Sequence, residues 1–309
     1  MTQFSALLIA GPTASGKSAL AISCAKKLNG VVINADSMQV YRDLQLLSAR
    51  PSAQEAAEVP HLLFGHIDGA VNYSVGKWLE DAAAALADAR AMGKMPIFVG
   101  GTGMYFKALT QGLSEIPAVP EAVRAKVRAE AEGVPVLELH GWLKLLDPDM
   151  AARLRPSDPQ RILRALEVFE ATGKSLSFWQ GKRGAPLLDA AACSAWFLNP
   201  VRAELFARID MRFDQMIAQG ALAEVEALAA RGLDPALPVM RAHGVPGLIA
   251  YLKGEISLEA AVARGKMDTR HYAKRQCTFA RGQMQFKWVE SAGEVEVGLP
   301  RRLAPRNDG

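Results

Sequence analysis

The chain has 309 residues, half of them hydrophobic and 22% charged, and 36 Lys and Arg against 32 Asp and Glu leave a net charge of +4. That length can bury a full core and fits one large domain or a domain carrying an insertion. Cys24, Cys193 and Cys277 form no C-x-x-C pair, which argues against a disulfide framework or a zinc site, and no apolar run nears the ~18 residues of a membrane span. A glycine-rich loop begins within a dozen residues of Met1, so we expect no signal or transit peptide and a cytoplasmic protein.

In chain order, the apolar run ALLIA (6–10) leads into GPTASGKSAL (11–20). Gly11, Gly16, Lys17 and Ser18 fit G-x-x-x-x-G-K-[ST], a loop whose backbone N–H groups wrap phosphates. The strand before it and the helical pattern SALAISCAKKL after it supply the expected context. A helix N-terminus offers unpaired N–H groups and the positive end of a dipole, Lys17 adds charge, and Ser18 suits Mg²⁺. The motif leaves its ligand open.

GVVINAD (30–36) and MPIFVGGTG (95–103) are again short, continuous and apolar, as buried parallel strands are. Between them VGKWLEDAAAALADARAMG (75–93) reads as a helix closed by Gly93. Strand alternating with helix predicts a parallel α/β sheet, in which ligands sit beyond the carboxyl ends of the strands. The phosphate loop, Asp36 and the turn through Gly100, Gly101, Thr102 and Gly103 should therefore share one edge. Asp36 has two readings: a helix or turn cap, since Asp36 and Ser37 are suited to open a helix, or a general base or magnesium partner beside the phosphates.

The pattern changes after SEIPAVP (114–120), where about eighty residues look helical: EAVRAKVRAEAEG, PVLELHGWLKLLDPDMAARL and DPQRILRALEVFEATGKS. We read residues 1–116 as the first part of the core, 117–191 as a helical insertion and 192–309 as the return to the core. In the third helix Ile162, Leu166 and Phe169 mark an apolar face, while Arg161 and Arg164 share another. ACSAWFLNP (192–200) reads as a returning strand, and long helices resume after it. The stretch 263–288 carries Arg264, Lys266, Arg270, Lys274, Arg275, Arg281 and Lys287 against Asp268 alone, which suits a polyanion or a solvated helical face. The five histidines show no metal-ligand spacing and are taken as structural. LPRRLAPRNDG (299–309) reads as frayed.

Together GPTASGKS (11–18), ADSMQVYRDL (35–44), GGTGMYFKAL (100–109), DPQRILRALEVFEATGK (158–174) and AKRQCTFAR (273–281) resemble the bacterial tRNA dimethylallyltransferases in order and spacing over essentially the whole chain. The resemblance implies an α/β P-loop NTPase-like parallel sheet flanked by helices, with a helical insertion domain that binds the anticodon loop. It implies transfer of a dimethylallyl group from dimethylallyl diphosphate to N6 of adenosine 37, in tRNAs reading codons that begin with U, with Mg²⁺ as cofactor; a monomer is expected by default, since nothing in the sequence suggests otherwise. The loop of Gly11, Pro12, Thr13, Ala14, Ser15, Gly16, Lys17 and Ser18 would then hold the donor's diphosphate, helped by Arg212. Thr13 would reach the bridging oxygen, and Asp36 would take the N6 proton.

The same resemblance places Asp36, Ser37, Met38 and Gln39 against the flipped adenosine and Thr102 and Arg124 along the RNA path. Gln160, Arg161, Ile162, Leu163 and Arg164, with Arg241, Lys274, Arg275, Gln276 and Arg281, would grip the tRNA. Two stretches depart from the family pattern: RAHGVPGL (241–248), where relatives read VGY after the arginine, and Phe279 where a Trp is usual. The alternatives are a small-molecule P-loop kinase, which would not need the insertion or the basic stretch, and an RNA-binding P-loop protein without catalysis.

Overall fold

The computed structural model describes residues 4–298; the Pro/Arg-rich end expected to fray lies outside them. The chain divides into two units, 1–110 with 187–309, and 111–186.

The larger unit is built on six parallel strands in the order β3-β2-β4-β1-β5-β6. β1 (Ala6–Ala10) leads through the phosphate loop to α1 (Lys17–Leu28), and β2 (Gly30–Asn34) to a long loop and α2 (Ala53–Glu58). β3 (His61–Leu62) precedes α3 (Val75–Ala91), and β4 (Met95–Gly100) feeds α4 (Gly103–Gln111). β1 lies between β4 and β5, so all five of its residues are buried, as a continuous apolar run requires. Alternate residues feed two cores: Leu8, Ile33 and Phe98 on one face, Leu7, Val32 and Ile97 on the other.

In the smaller unit α5 (Glu121–Glu130), α6 (Val136–Leu146), α7 (Pro148–Arg153), α8 (Pro159–Thr172) and α9 (Leu176–Gln180) close over their own core of Leu139, Leu143, Ile162, Leu166 and Val168. Asp158 caps α8 by accepting the Arg161 N–H at 3.2 Å, with Pro159 in the first turn and Gly173 closing the other end at φ 63°. The unit's edges fall a few residues before the 117 and 191 read from the sequence. The physical reason is a clasp across its base: Gly184 donates to the Leu113 carbonyl at 3.0 Å and Glu115 to that of Lys182 at 3.1 Å.

The chain returns as β5 (Cys193–Leu198), α10 (Arg202–Ala218), α11 (Ala221–Ala230), α12 (Val245–Leu252), the 26-residue α13 (Leu258–Gln283), β6 (Lys287–Val289) and α14 (Ala292–Gly298). No helix opens at Asp36. Instead its carboxylate accepts the Met38 N–H at 3.0 Å, an Asx turn that starts an irregular loop.

Candidate active site

Three strand ends meet at one edge of the sheet, and their contacts explain how the site is built. β1 ends in the phosphate loop, where Gly16 takes φ 91°, a conformation costly for any residue with a Cβ, and Ala14 takes φ 61°. Lys17 opens α1 and turns its buried ammonium back to the Pro12 carbonyl at 3.1 Å. Burial lowers its pKa to about 8; the Asp36 carboxylate opposes the shift and Arg212 adds to it. Among the described residues, the buried Ser15 hydroxyl has no hydrogen-bond partner in the protein, an exception that fits a loop shaped around an anion.

Asp36 follows β2 and is held by Asn34, which is fully buried. Asn34 Oδ1 accepts the Asp36 N–H at 2.8 Å, while its Nδ2 donates to the carbonyls of Asp36 and Leu63. Trp78, also fully buried, donates to the Asn34 carbonyl at 3.0 Å and stacks on Tyr105 at 4.1 Å. The turn after β4 is tied to the same place: Thr102 Oγ1 accepts the Ser37 N–H at 2.9 Å, and the Thr102 N–H donates to Ala35.

Thr13, Asp36 and Arg212 line one small cavity together with Met38, Phe213 and Tyr272. The Arg212 pKa is lowered by burial, against which the carboxylates of Glu55 and Asp36 hold its charge. A larger hollow, about 600 Å³, shares Ser15 and Gly16 with the phosphate loop, but neither Thr13 nor Asp36 lines it. The smaller one, which holds both, is therefore the candidate site.

For Mg²⁺ the site offers one hard protein oxygen. Among the described residues no group of three or more His, Cys, Asp and Glu is disposed to hold a metal, so an all-protein cage is absent from them. The Ser18 hydroxyl, half-buried on the first turn of α1, is a hard oxygen of the kind Mg²⁺ uses alongside substrate phosphates and water.

Several residues expected to touch RNA are placed elsewhere. Gln276 is buried: its Oε1 accepts the Thr13 N–H at 3.1 Å and its Nε2 donates to the Gly101 carbonyl at 2.9 Å, so the amide ties two turns together. The buried Gln39 likewise spends its Nε2 on the carbonyls of Ser48 and Ala49. Ile162 is 0% exposed in the core of the smaller unit, and the half-buried Leu163 packs against that core. Direct RNA contact through the side chains of Gln276, Gln39 and Ile162 is thus corrected by their burial.

The cations divide in the same way. Gln160 and Arg161 are exposed, with Arg161 3.5 Å from Asp158; Arg164 lies 3.7 Å from the buried Glu167 and Arg124 3.0 Å from Glu121. Along α13, Lys266 and Arg270 pair with Asp214 and Asp210 of α10, and Arg264 with Asp268. Arg241, Lys274, Arg275 and Arg281 are exposed. Arg275 sits 5.7 Å from the Tyr272 ring and Arg281 5.1 Å from that of Trp288.

Other residues enter the site that sequence reasoning missed. Tyr272 and His243 both line the cavity, their rings 4.7 Å apart. Burial raises the Tyr272 pKa and lowers that of His243, leaving both neutral near pH 7. His243 lies in the departing stretch RAHGVPGL, a local signal; Tyr272 was hidden among basic residues. Glu224 of α11 takes the N–H groups of Gln45, Leu46 and Leu47 on its two oxygens and so shapes the loop whose residues Leu47, Ser48 and Ala49 reach the cavity. Only tertiary structure reveals that clasp.

A parallel sheet with this loop at the carboxyl end of its central strand defines an α/β P-loop protein. The family profile described as IPP transferase matches residues 39–283, and that described as isopentenyl transferase matches residues 4–64. The tRNA dimethylallyltransferase of Methylocella silvestris is 67% identical over 93% of this chain and 95% of its own. That of Beijerinckia indica is 64% identical over 92% and 94%. Among solved structures, the tRNA isopentenylpyrophosphate transferase of Bacillus halodurans is 34% identical over 93% of this chain and 90% of its own, with a TM-score of 0.65. A eukaryotic dimethylallyltransferase described as acting on tRNA is 29% identical over 94% and 75%, with a TM-score of 0.77. The chain belongs to the IPP transferase family.

Proposed function

We propose that this protein is a tRNA dimethylallyltransferase: it moves the dimethylallyl group of dimethylallyl diphosphate to N6 of adenosine 37 in tRNAs reading codons that begin with U, giving N6-isopentenyladenosine and diphosphate. The names of its relatives support the reaction. The observation that carries the site assignment is that Thr13, Asp36 and Arg212 share one cavity at the phosphate loop.

In this reading the bond between prenyl C1 and the bridging oxygen breaks, C1 bonds to N6, and the N6 proton passes to Asp36. Negative charge builds on the departing diphosphate. The N–H groups of residues 14–18, the Lys17 ammonium and Arg212 meet that charge, and one such prearranged donor is worth about 2.7–4 kcal/mol of barrier. Thr13 Oγ1 donates to the bridging oxygen. Mg²⁺ shared between Ser18 and the phosphates would neutralise further charge when bound. A stacked adenine cannot reach Asp36, so the base must be flipped out of the anticodon loop.

The exposed Gln160, Arg161, Lys274, Arg275 and Arg281, with Arg124, Arg164 and Arg241, are our candidates for tRNA binding. Leu163 supports them from the smaller unit's core, while Ser37, Met38 and Thr102 shape the adenosine's place beside Asp36. The enzyme acts as a monomer in the cytoplasm, where its tRNA substrate is.

The test is transfer of label from dimethylallyl diphosphate to an unmodified anticodon stem-loop with adenosines at 36, 37 and 38, with Mg²⁺ and without ATP. Label on this loop, and none on one with guanosine at 37, is expected. Asp36→Asn, which keeps an oxygen for the Met38 N–H, should bind the stem-loop normally and turn over ~10²–10⁴-fold more slowly. Phosphoryl transfer from ATP to a small acceptor, with no prenylated RNA, would overturn the reading in favour of a kinase.

A further inference from the structure

We propose that Phe213 is the floor of the prenyl pocket and sets the accepted donor length at five carbons. The inference rests on the reaction proposed above and assigns one wall of its site.

α10 runs past the phosphate loop and presents one face to the cavity. Ile209 lies in the apolar cluster that Ala14 of the loop packs against, so this turn is level with the phosphates. Phe213 and Met216 follow at i+4 and i+7 on the same face, and all three line the cavity. One helical turn advances about 5.4 Å, so Phe213 stands roughly one turn beyond the phosphate end and Met216 two. The main chain of a dimethylallyl group, four carbons at about 1.5 Å per bond, fills about 4 Å. The eight-carbon main chain of a geranyl group would have to pass Phe213.

The ring has nowhere to retreat. Phe213 is 4% exposed, and two glycines press on it. A Cβ at Gly265 would lie 2.2 Å from Phe213 Cζ, and one at Gly244 would lie 3.1 Å from Phe213 Cζ and 3.3 Å from Leu47 Cδ2. Backbone of α13 and of the turn before α12 therefore backs the ring where side chains would otherwise stand. A residue fixed in this way makes a rigid stop, since displacing it means displacing main chain. The bonds made and broken are the same for either donor: C1–O breaks, C1–N6 forms, Asp36 takes the proton and diphosphate leaves. Discrimination is then a matter of room alone.

The experiment offers dimethylallyl and geranyl diphosphate in competition to the full-length enzyme with the anticodon stem-loop, and the modified nucleosides are resolved by mass. Wild type should give the five-carbon product. Phe213→Ala, and Phe213→Leu with a smaller effect, should shift the ratio of kcat/KM toward geranyl by at least about tenfold, the scale of misfitting even one methylene. Gly265→Ala, which drives the ring toward the cavity, should raise KM for dimethylallyl diphosphate while leaving affinity for inorganic pyrophosphate within twofold. Should Phe213→Ala fail to fold, Phe213→Leu decides the matter on the same ratio. Folded Phe213 variants that transfer dimethylallyl with the wild-type ratio overturn the proposal. A wild-type enzyme that transfers neither group overturns the reaction beneath it instead.

Discussion

Gln276 joins α13 to the phosphate loop by accepting the Thr13 N–H on its side-chain oxygen at 3.1 Å, while its Nε2 donates to the Gly101 carbonyl at 2.9 Å. A residue in the basic stretch of the chain thus serves the geometry of the candidate site from inside the protein. Gln276→Ala strands both partners, and an unsatisfied buried polar group costs about 1–3 kcal/mol. We expect a lower Tm and weaker binding of pyrophosphate, with stem-loop affinity within twofold of wild type. Loss of stem-loop affinity alone would return Gln276 to the RNA-contacting set.

Lys17 should carry the pH dependence of diphosphate binding. Its buried ammonium titrates at about 8 in the free protein, well below the ordinary 10.5, and only the charged form attracts diphosphate. Below pH 8 the group is already charged and binding takes up no proton there. As pH rises through 8 the free protein loses the charge, so affinity should fall and binding should take up a proton at Lys17. Calorimetry of pyrophosphate binding at pH 7 and 9, in buffers of different ionisation enthalpy, reads both effects. Lys17→Arg keeps its charge across this range and should lack the protein's share of that dependence. An identical pH response in wild type and Lys17→Arg would show that the diphosphate, not the lysine, is titrating.

The strands that surround the candidate site were legible because burial on both faces writes them as unbroken apolar runs; β1, β2, β4 and β5 all lie where ALLIA, GVVINAD, MPIFVGG and ACSAWFLNP stood. β3 and β6 were not. His61–Leu62 and Lys287–Val289 are too short for a period, and each is a strand only because Val32 and Ile33, or Trp196 to Leu198, offer it a partner. The phosphate loop could be read because its chemistry is local. Phe213, Tyr272 and Glu224 could not, since each matters through a neighbour far away in sequence, and RAHGVPGL marked His243 only as a departure from the family pattern. Asp36 shows the boundary: its place at a strand end was evident, but whether it would cap a helix or a turn was not, and the turn forms because its carboxylate bonds Met38 two residues on.

Ile162 and Arg161 adjoin in sequence and should separate cleanly in experiment. Ile162 is 0% exposed in the smaller unit's core, so Ile162→Ala should cost about 2–5 kcal/mol of stability and touch tRNA affinity only through folding. Arg161 is exposed. Arg161→Ala should leave Tm unchanged, weaken stem-loop binding and reduce the slope of log K against log salt by about 1 if it meets a phosphate. A salt slope equal to that of wild type would remove Arg161 from the RNA-binding surface.

Glu224 tests whether the wall of the cavity is held from a distance. Its two carboxylate oxygens receive the successive N–H groups of Gln45, Leu46 and Leu47, the last two at 2.9 and 3.0 Å. Arg231 at the end of the same helix pairs with Asp43 and, at 2.7 Å, with Asp68, so α11 grips this loop at two points. Glu224→Ala removes the acceptors of those three donors and frees Leu47, Ser48 and Ala49 from the cavity wall. We expect faster amide exchange confined to residues 44–49 and a several-fold rise in KM for dimethylallyl diphosphate, with kcat changed less. Glu224→Gln, which keeps one accepting oxygen, should fall between. Equal losses in kcat and kcat/KM, without a change in exchange, would mean that Glu224 acts on the transition state rather than on the loop.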